Sequence, residues 1–474
     1  MKQSLPPTND GRERGKQAEH LPSSQVVTPD LGQPAPAPDQ SVPTPTLGEA
    51  TAVWARIGFL SFGGPAGQIA LIHREVVEDR RWLDEKTFLS ALNFCMLLPG
   101  PEAMQLATFA GWRLHGVIGG VIAGLLFVLP GAFLVGTLSV LYALYGTLPI
   151  SQALFLGVKA AVLAIVFQAL IKVSRRALTV PAAYLMAVLA FLALFVFQLP
   201  FPLIVIAAAT IGAFAIPVDP SSLSDGHKLD AGLDRVMLKA AGRTAILWLV
   251  IWIVPLAAFV AVTGGVQVFA DLALFFSKLA IVTFGGAYAV LSYMAQEAVQ
   301  GFGWLKPGEM VDGLGLAETT PGPLILVTQF VGFLAAFRTG GEQPSLIYGV
   351  LGMVVTLWAT FAPCFLWIFT GAPFISRLEN MPRLRAALAG VTAAVVGVIA
   401  NLSVWFAFNV LFNGFHTVNI AGGTMRLPDL GSFHLEAFGL AVVGFVALLW
   451  FRFGVLTTLS ICAAGGLLVS AVAS

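Results

Sequence analysis

The sequence predicts an all-α polytopic membrane protein made of two inverted-topology repeats, each with re-entrant or broken helices at a Phe-Gly-Gly and a Pro-Gly-Pro element. Three observations predict it. The 474 residues are 57% hydrophobic and only 11% charged, against about 25% charged in soluble domains. Thirteen apolar stretches run in succession, at roughly 51–72, 88–111, 116–147, 150–171, 180–197, 201–217, 244–263, 268–294, 312–337, 346–371, 386–412, 435–451 and 453–472. About 20 such residues cross a bilayer as helix. Finally, a shift of 222 positions lays Phe284-Gly285-Gly286 on Phe62-Gly63-Gly64, Trp304-Leu305 on Trp82-Leu83, and Pro321-Gly322-Pro323 on Pro99-Gly100-Pro101, with Glu297 on Glu75. Landmarks held in register without a gap mark an internal duplication.

Taken in order, residues 1–50 hold nine prolines and almost no aromatic residue, which predicts a disordered tail. With no apolar stretch near Met1 to act as a signal, this tail is expected in the cytoplasm. Residues 51–217 form the first repeat. The polar interval 218–243, with Lys228, Arg235, Lys239 and Arg243, reads as a cytoplasmic linker. Residues 244–474 form the second repeat, led by an extra helix at 244–263 that has no partner in the first. Beyond the Pro-Gly-Pro elements the offset becomes 233, so that Pro130 meets Pro363 and Gly157–Val162 meets Gly390–Val395. An 11-residue insertion must therefore lie between Pro323 and Pro363, and the polar loop Arg338–Ser345 is its expected place.

Orientation follows from counting. Seven apolar stretches separate equivalent points of the two repeats, and five crossings remain if the Phe-Gly-Gly and Pro-Gly-Pro elements dip in and return. Either number is odd, so the second repeat is inverted, as in many secondary transporters. Lys and Arg on the cytoplasmic side then choose between the versions. Loop 73–87 carries Arg74, Arg80, Arg81 and Lys86, whereas loop 295–309 has only Lys306. The first is expected inside and the second outside, which favours nine spanning helices with four re-entrant elements over thirteen spanning ones.

Non-helical backbone at membrane depth is tolerated where it is covered by protein or lines a water-filled cavity. Gly63, Gly64, Gly285 and Gly286 admit unusual dihedrals, while Pro99, Pro101, Pro321 and Pro323, around Gly100 and Gly322, remove donors. A helix restarted at such a break presents N–H groups and a dipole that favour an anion. Glycines also let helices pack closely, but packing alone does not explain why both elements recur at fixed separation. Arg56 and Lys278 each lie six residues before the Phe of Phe-Gly-Gly, so the same position is basic in both repeats. Lys159 stands alone in an apolar stretch opposite Thr392. These three are the candidate anion-binding cations, since ionisable residues inside apolar segments are functional by default. Glu102 and Glu318, flanking the two Pro-Gly-Pro elements, are the candidate coupling carboxylates; Asn93, Gln105, Thr320 and Gln329 offer neutral hydrogen bonds.

Several classes are disfavoured. A net charge of +1 without a basic cluster argues against nucleic acid. Cys95, Cys364 and Cys462 lack metal-ligand spacing, no two histidines stand at i, i+4, and no GxxxxGK[ST] is present, so no metal, cofactor or nucleotide site is expected. Without HExxH, GxSxG or paired cysteines an enzyme is not expected either.

The stretches FGGPAGQIALIHREVVEDRRW, NFCMLLPGPEAMQLATFAGWRLHG and FVLPG resemble the chromate ion transporter family in its long, two-domain form. The resemblance covers about residues 51–472 and carries family motif positions onto Gly63, Gly64, Pro99, Gly100 and Pro101. The second repeat departs from it in having Ala287 where the first has Pro65. The resemblance implies a bacterial or archaeal inner-membrane protein that exports chromate, with sulfate as structural analogue, and confers chromate resistance. It admits a homodimer. Transport of sulfate or a related oxyanion, or an anion channel, is the alternative.

Overall fold

The computed structural model describes residues 45–215, 231–282, 284, 287–339, 343–375, 381–420 and 423–473. Gly285 and Gly286, nearly all of the predicted tail and residues 218–230 of the predicted linker lie outside the described residues.

Helices in this chain stop where the sequence removes donors or admits positive φ. Helix α1 (Leu47–Leu60) opens with a capping box, the Thr46 hydroxyl accepting from Glu49 N–H at 3.3 Å and the Glu49 carboxylate from Thr46 N–H at 2.8 Å. It ends at Ser61, and α2 (Gly64–His73) restarts after Gly63, whose φ of 88° suits glycine. Beyond α2 the chain has returned to α1. Arg56 lies 3.6 Å from Glu75, and the Trp54 and Trp82 rings are 6.4 Å apart, whereas residues 56 and 75 of one unbroken helix would be about 28 Å apart. A π turn (Arg74–Asp79) leads to α3 (Glu85–Leu97), N-capped by Asp84. Pro99-Gly100-Pro101, with Gly100 at φ 118°, separates α3 from α4 (Glu102–Tyr145). Helix α4 reverses at His115 and Gly116, bringing Gly111 and Gly119 so close that a Cβ on either would strike the other's carbonyl. Helices α5 (Pro149–Ala177), α6 (Pro181–Phe195) and α7 (Phe201–Ala215) complete the first half.

Helix α8 (Ala231–Val262) already includes residues 231–243, expected to be linker, as its first turns. The second half then repeats the first: α9 (Gln267–Val282), α10 (Ala287–Gln296), a π turn (Glu297–Gly301) and α11 (Pro307–Thr319). After Pro321-Gly322-Pro323 come a 3₁₀ turn (Leu324–Leu326), α12 (Val327–Thr339), α13 (Leu346–Gly371) and α14 (Pro382–Leu411). Helices α15 (Leu435–Phe445) and α16 (Val455–Ala473) close it.

The duplication is visible in backbone detail. Helices α3 and α11 are both 13 residues long and start 222 positions apart. Arg81 (φ 55°) is matched by Gly303 (φ 64°), and Gly100 (φ 118°) by Gly322 (φ 93°). Phe62 N–H donates to Leu60 O at 2.8 Å and Phe284 N–H to Val282 O at 3.0 Å. Gly332 and Gly352 repeat the Gly111–Gly119 contact, but stand 20 positions apart instead of eight, so the inserted length lies between these two glycines.

The halves also exchange helices. Helix α5 packs on α15 and α16 of the second half, and α14 packs on α6 and α7 of the first. Matching glycines make both crossings: Gly157 abuts the Cys462 carbonyl and Gly466 the Ala153 carbonyl, while Gly390 abuts Ala208 and Gly212 abuts Ala386. Without Cβ atoms the backbones approach closely enough for contact along the helices.

Six helices among the described residues are long and apolar enough to cross a membrane, and four more are apolar but shorter. Outward-facing Phe133, Ile206, Phe214 and Leu274 give the surface an apolar character that a water-soluble protein would not expose. The chain is an all-α polytopic membrane protein with one addition. A β-hairpin, β1 (Phe415–Ile420) with β2 (Gly423–Pro428), pairs Phe415 with Pro428 through to Ile420 with Gly423. The expectation of helices and loops alone missed it. Its signal was β-branched Thr417, Val418, Ile420 and Thr424 around Gly422-Gly423.

Candidate substrate site at the broken helices

The breaks of opposite repeats meet. Gly322 N–H donates to Ser61 O at 2.9 Å, and Gln68 Nε2 donates to Gly322 O at 2.6 Å and to Ser61 O at 3.2 Å. Thus the Phe-Gly-Gly end of α1 and the first turns of α2 hold the Pro-Gly-Pro element of the second repeat. Within the second repeat the Tyr288 hydroxyl, at the start of α10, donates to Glu318 Oε1 at 2.9 Å near the end of α11. The Pro-Gly-Pro elements each lean on the long helix of the other half. Gly131 of α4 lies under the Pro321 carbonyl, and its counterpart on α13, Cys364, places Sγ 3.1 Å from where a Cβ on Gly100 would be. Gln105 Nε2 closes the first element by donating to Pro99 O at 2.7 Å. Gln329 Nε2 reaches across to Ala132 O at 2.9 Å.

Around Gly63 and Gly64 a Cβ would meet no atom within 4 Å, so positive φ alone accounts for glycine there. The start of α2 thus opens onto space rather than packed side chains. Such a helix start is chemically suited to an anion, although Pro65 removes one of its donors.

The predicted cations do not converge on these breaks. Arg56 and Lys278 are exposed on α1 and α9; Arg56 pairs with buried Glu75, which Arg80 also contacts, and Lys278 stands 5.8 Å from the Tyr293 ring centre. Lys159 Nζ sits 3.3 Å from Asp312 Oδ2. From Asp312 to Pro321 is about 13 Å along α11, so this cation belongs to the base of the α11–α12 hairpin rather than its tip. That base is fastened by Glu309 and Arg338, which share two hydrogen bonds of 2.8 Å. Glu102 begins α4, half-buried, within the field of Arg176. Sequence reasoning overlooked Gln68, Gly131, Tyr142 and Asp312. Of these only Asp312, an acid at the edge of an apolar stretch, carried a signal of its own.

Two halves exchanging helices around paired helix breaks define a multi-pass membrane protein. The particular family is fixed by comparison: the chromate transporter profile matches residues 48–213 and 270–468. The chain belongs to the chromate transporter family. It is 33% identical over 387 residues to the chromate transport protein of Pseudomonas aeruginosa, covering 79% of this chain and 85% of that one. It is 30% identical over 364 residues to a probable chromate transport protein of Synechococcus elongatus, covering 76% and 84% respectively. With the chromate transport protein of Cupriavidus metallidurans it shares 29% over 360 residues, 76% and 82% of the two chains. No solved structure matches.

Proposed function

We propose that this protein exports chromate from the bacterial cytoplasm across the inner membrane, confers chromate resistance, and binds the anion between inverted repeats where the broken helices meet. The observation that carries the reading is the junction of Ser61, Gln68 and Gly322, which ties a helix break of one repeat to that of the other. In this reading α1–α2, α3 with the first limb of α4, α9–α10 and α11–α12 are re-entrant, nine helices span, and the N-terminus is cytoplasmic. Supporting it, α1 is 14 residues long, or about 21 Å, short of the roughly 30 Å hydrocarbon core.

The driving force is electrical. Moving one charge through 100 mV is worth about 2.3 kcal/mol, so expelling a dianion from a negative-inside cell gains roughly 4.6 kcal/mol, more than a thousandfold in gradient. Export needs no further coupling. Everted vesicles are expected to accumulate chromate, with sulfate competing; uptake of sulfate only in right-side-out vesicles would replace export of chromate with import of sulfate. For topology, Lys86→Cys should react only with a cytoplasmic thiol reagent and Leu430→Cys only with an external one. Labelling of both positions from the outside would eliminate the re-entrant arrangement.

A further inference from the structure

Lys159 of α5 and Tyr142 of α4 belong to the first repeat, yet both contact Asp312 of α11 in the second. The ammonium lies 3.3 Å from Oδ2, and the Tyr142 hydroxyl donates to the same oxygen at 2.9 Å. The Asp312 side chain is 5% exposed and its Oδ1 has no hydrogen-bond partner among the described residues, whereas Lys159 remains 26% exposed. The carboxylate is therefore enclosed and half-satisfied, while the cation it neutralises can be reached.

The duplication does not repeat this pair. The equivalent positions in the other half are Thr392, Ser90 and Ile375, and Thr392 bonds its own helix, donating to Leu388 O at 2.8 Å. The charges are thus a feature of the α5–α11 contact, and α3 makes no comparable contact with α14. Neighbouring charges are engaged elsewhere or distant in the chain. Glu309 and Arg338 hold each other, Lys306 precedes α11, Arg383 and Arg385 lie in the first turn of α14, and α16 carries no charged residue.

We propose that Asp312 is an intramolecular counter-ion for Lys159 at a second anion station, at the base of the α11–α12 hairpin, standing in for the oxyanion in the empty carrier and yielding the ammonium to it as the anion passes to or from the helix breaks. This rests on the oxyanion-transport reading above. An ammonium withdrawn from water without a partner is strongly disfavoured, so an empty carrier with Lys159 uncompensated would be held back from changing its exposed side. Asp312 neutralises it for that step. When the anion takes the ammonium, the Tyr142 hydroxyl still holds the carboxylate. The site takes a small tetrahedral dianion, which competes on charge, and a neutral solute would gain nothing there.

The test is transport by the full-length protein in everted vesicles, with chromate and sulfate in turn. Asp312→Asn, which removes the competing charge and keeps an acceptor for Tyr142, should lower the apparent KM by about fivefold, as expected for a partly exposed pair. It should slow net transport while leaving exchange, with anion on both sides, near the wild-type rate. Unchanged KM, with net flux and exchange falling together in proportion to the protein in the membrane, would assign Asp312 a structural role and overturn the proposal. Should Asp312→Asn not accumulate, Lys159→Gln compared with Lys159→Gln/Asp312→Asn reads the same repulsion. The double variant should then bind more tightly, and equal KM values would overturn the proposal. Wild-type vesicles that accumulate neither anion would instead refute the transport reading itself.

Discussion

At the close of the first hairpin Trp82 packs on Trp54 with the Arg80 guanidinium 5.6 Å over its ring; at the equivalent place in the second half Trp304 lies beside Phe276 with Phe302 stacked at 4.1 Å. The backbone beneath is the same, a π turn followed by one residue with positive φ. The first half fills it with ions, Arg56, Arg80 and buried Glu75, and the second with rings, Phe302 against Phe275 and Trp304, with Lys278 beside Tyr293. Backbone breaks are fixed by sterics and so persist through divergence, whereas the charges laid on them are replaceable. Asymmetry between the halves is therefore the place to look for direction and coupling.

The largest expected difference is at the Pro-Gly-Pro contacts. Giving α4 the residue that α13 carries, Gly131→Cys, drives a side chain into the Pro321 carbonyl and Leu326 and should cost about 3 kcal/mol, seen as lost protein or a lowered melting temperature in detergent. The reverse exchange, Cys364→Gly, removes one buried side chain and should cost only about 1 kcal/mol. Equal costs would mean that the two contacts are packed alike.

Next comes the acid common to both hairpins. Glu75→Gln leaves Arg56 and Arg80 without their shared carboxylate and should destabilise by about 2 kcal/mol. Glu297→Gln, at a half-buried position, should cost well under that in the same melting assay. If both cost the same, the ionic and aromatic versions of this turn are energetically alike.

The smallest effect concerns the caps of α3 and α11. Asp84 accepts from Thr87 N–H at 2.8 Å and from its hydroxyl at 2.7 Å, while Lys306 occupies the equivalent position. Asp84→Ala should cost about 1 kcal/mol and Asp84→Asn little. The Thr87 hydroxyl bond holds the Asp84 carboxyl below its usual value of 3.8. Its folded-state advantage is therefore present above pH 3.8 and lost as pH falls through the lower folded value. Wild type and Asp84→Asn should converge in stability on acidification, and Lys306→Ala should show no such trend.

The hairpin breaks were legible in the sequence because Gly and Pro act locally: Gly63, Gly100 and Gly322 sit at positive φ where the motifs place them. The inserted turn near Arg338 was legible from offset arithmetic. Contacts between distant residues were not. Nothing in the spacing of Gln68 and Gly322, or of Lys159 and Asp312, announces that they touch, because no periodicity connects positions so far apart. Arg56 and Lys278 illustrate the converse. Their recurrence was real, but equivalence by symmetry placed them on matching outer faces, with local partners, rather than together.

The exchange of helices between halves has a consequence in time. Helices α5, α6 and α7 leave the ribosome before their packing partners α14, α15 and α16 exist. Some 240 residues separate Ala215 from Val455, which at 5–20 residues per second is roughly 10–50 s of synthesis. During that interval the glycine faces of Gly157 and Gly212 must rest against lipid or the insertion machinery, so the first half waits, inserted but unassembled, for the second.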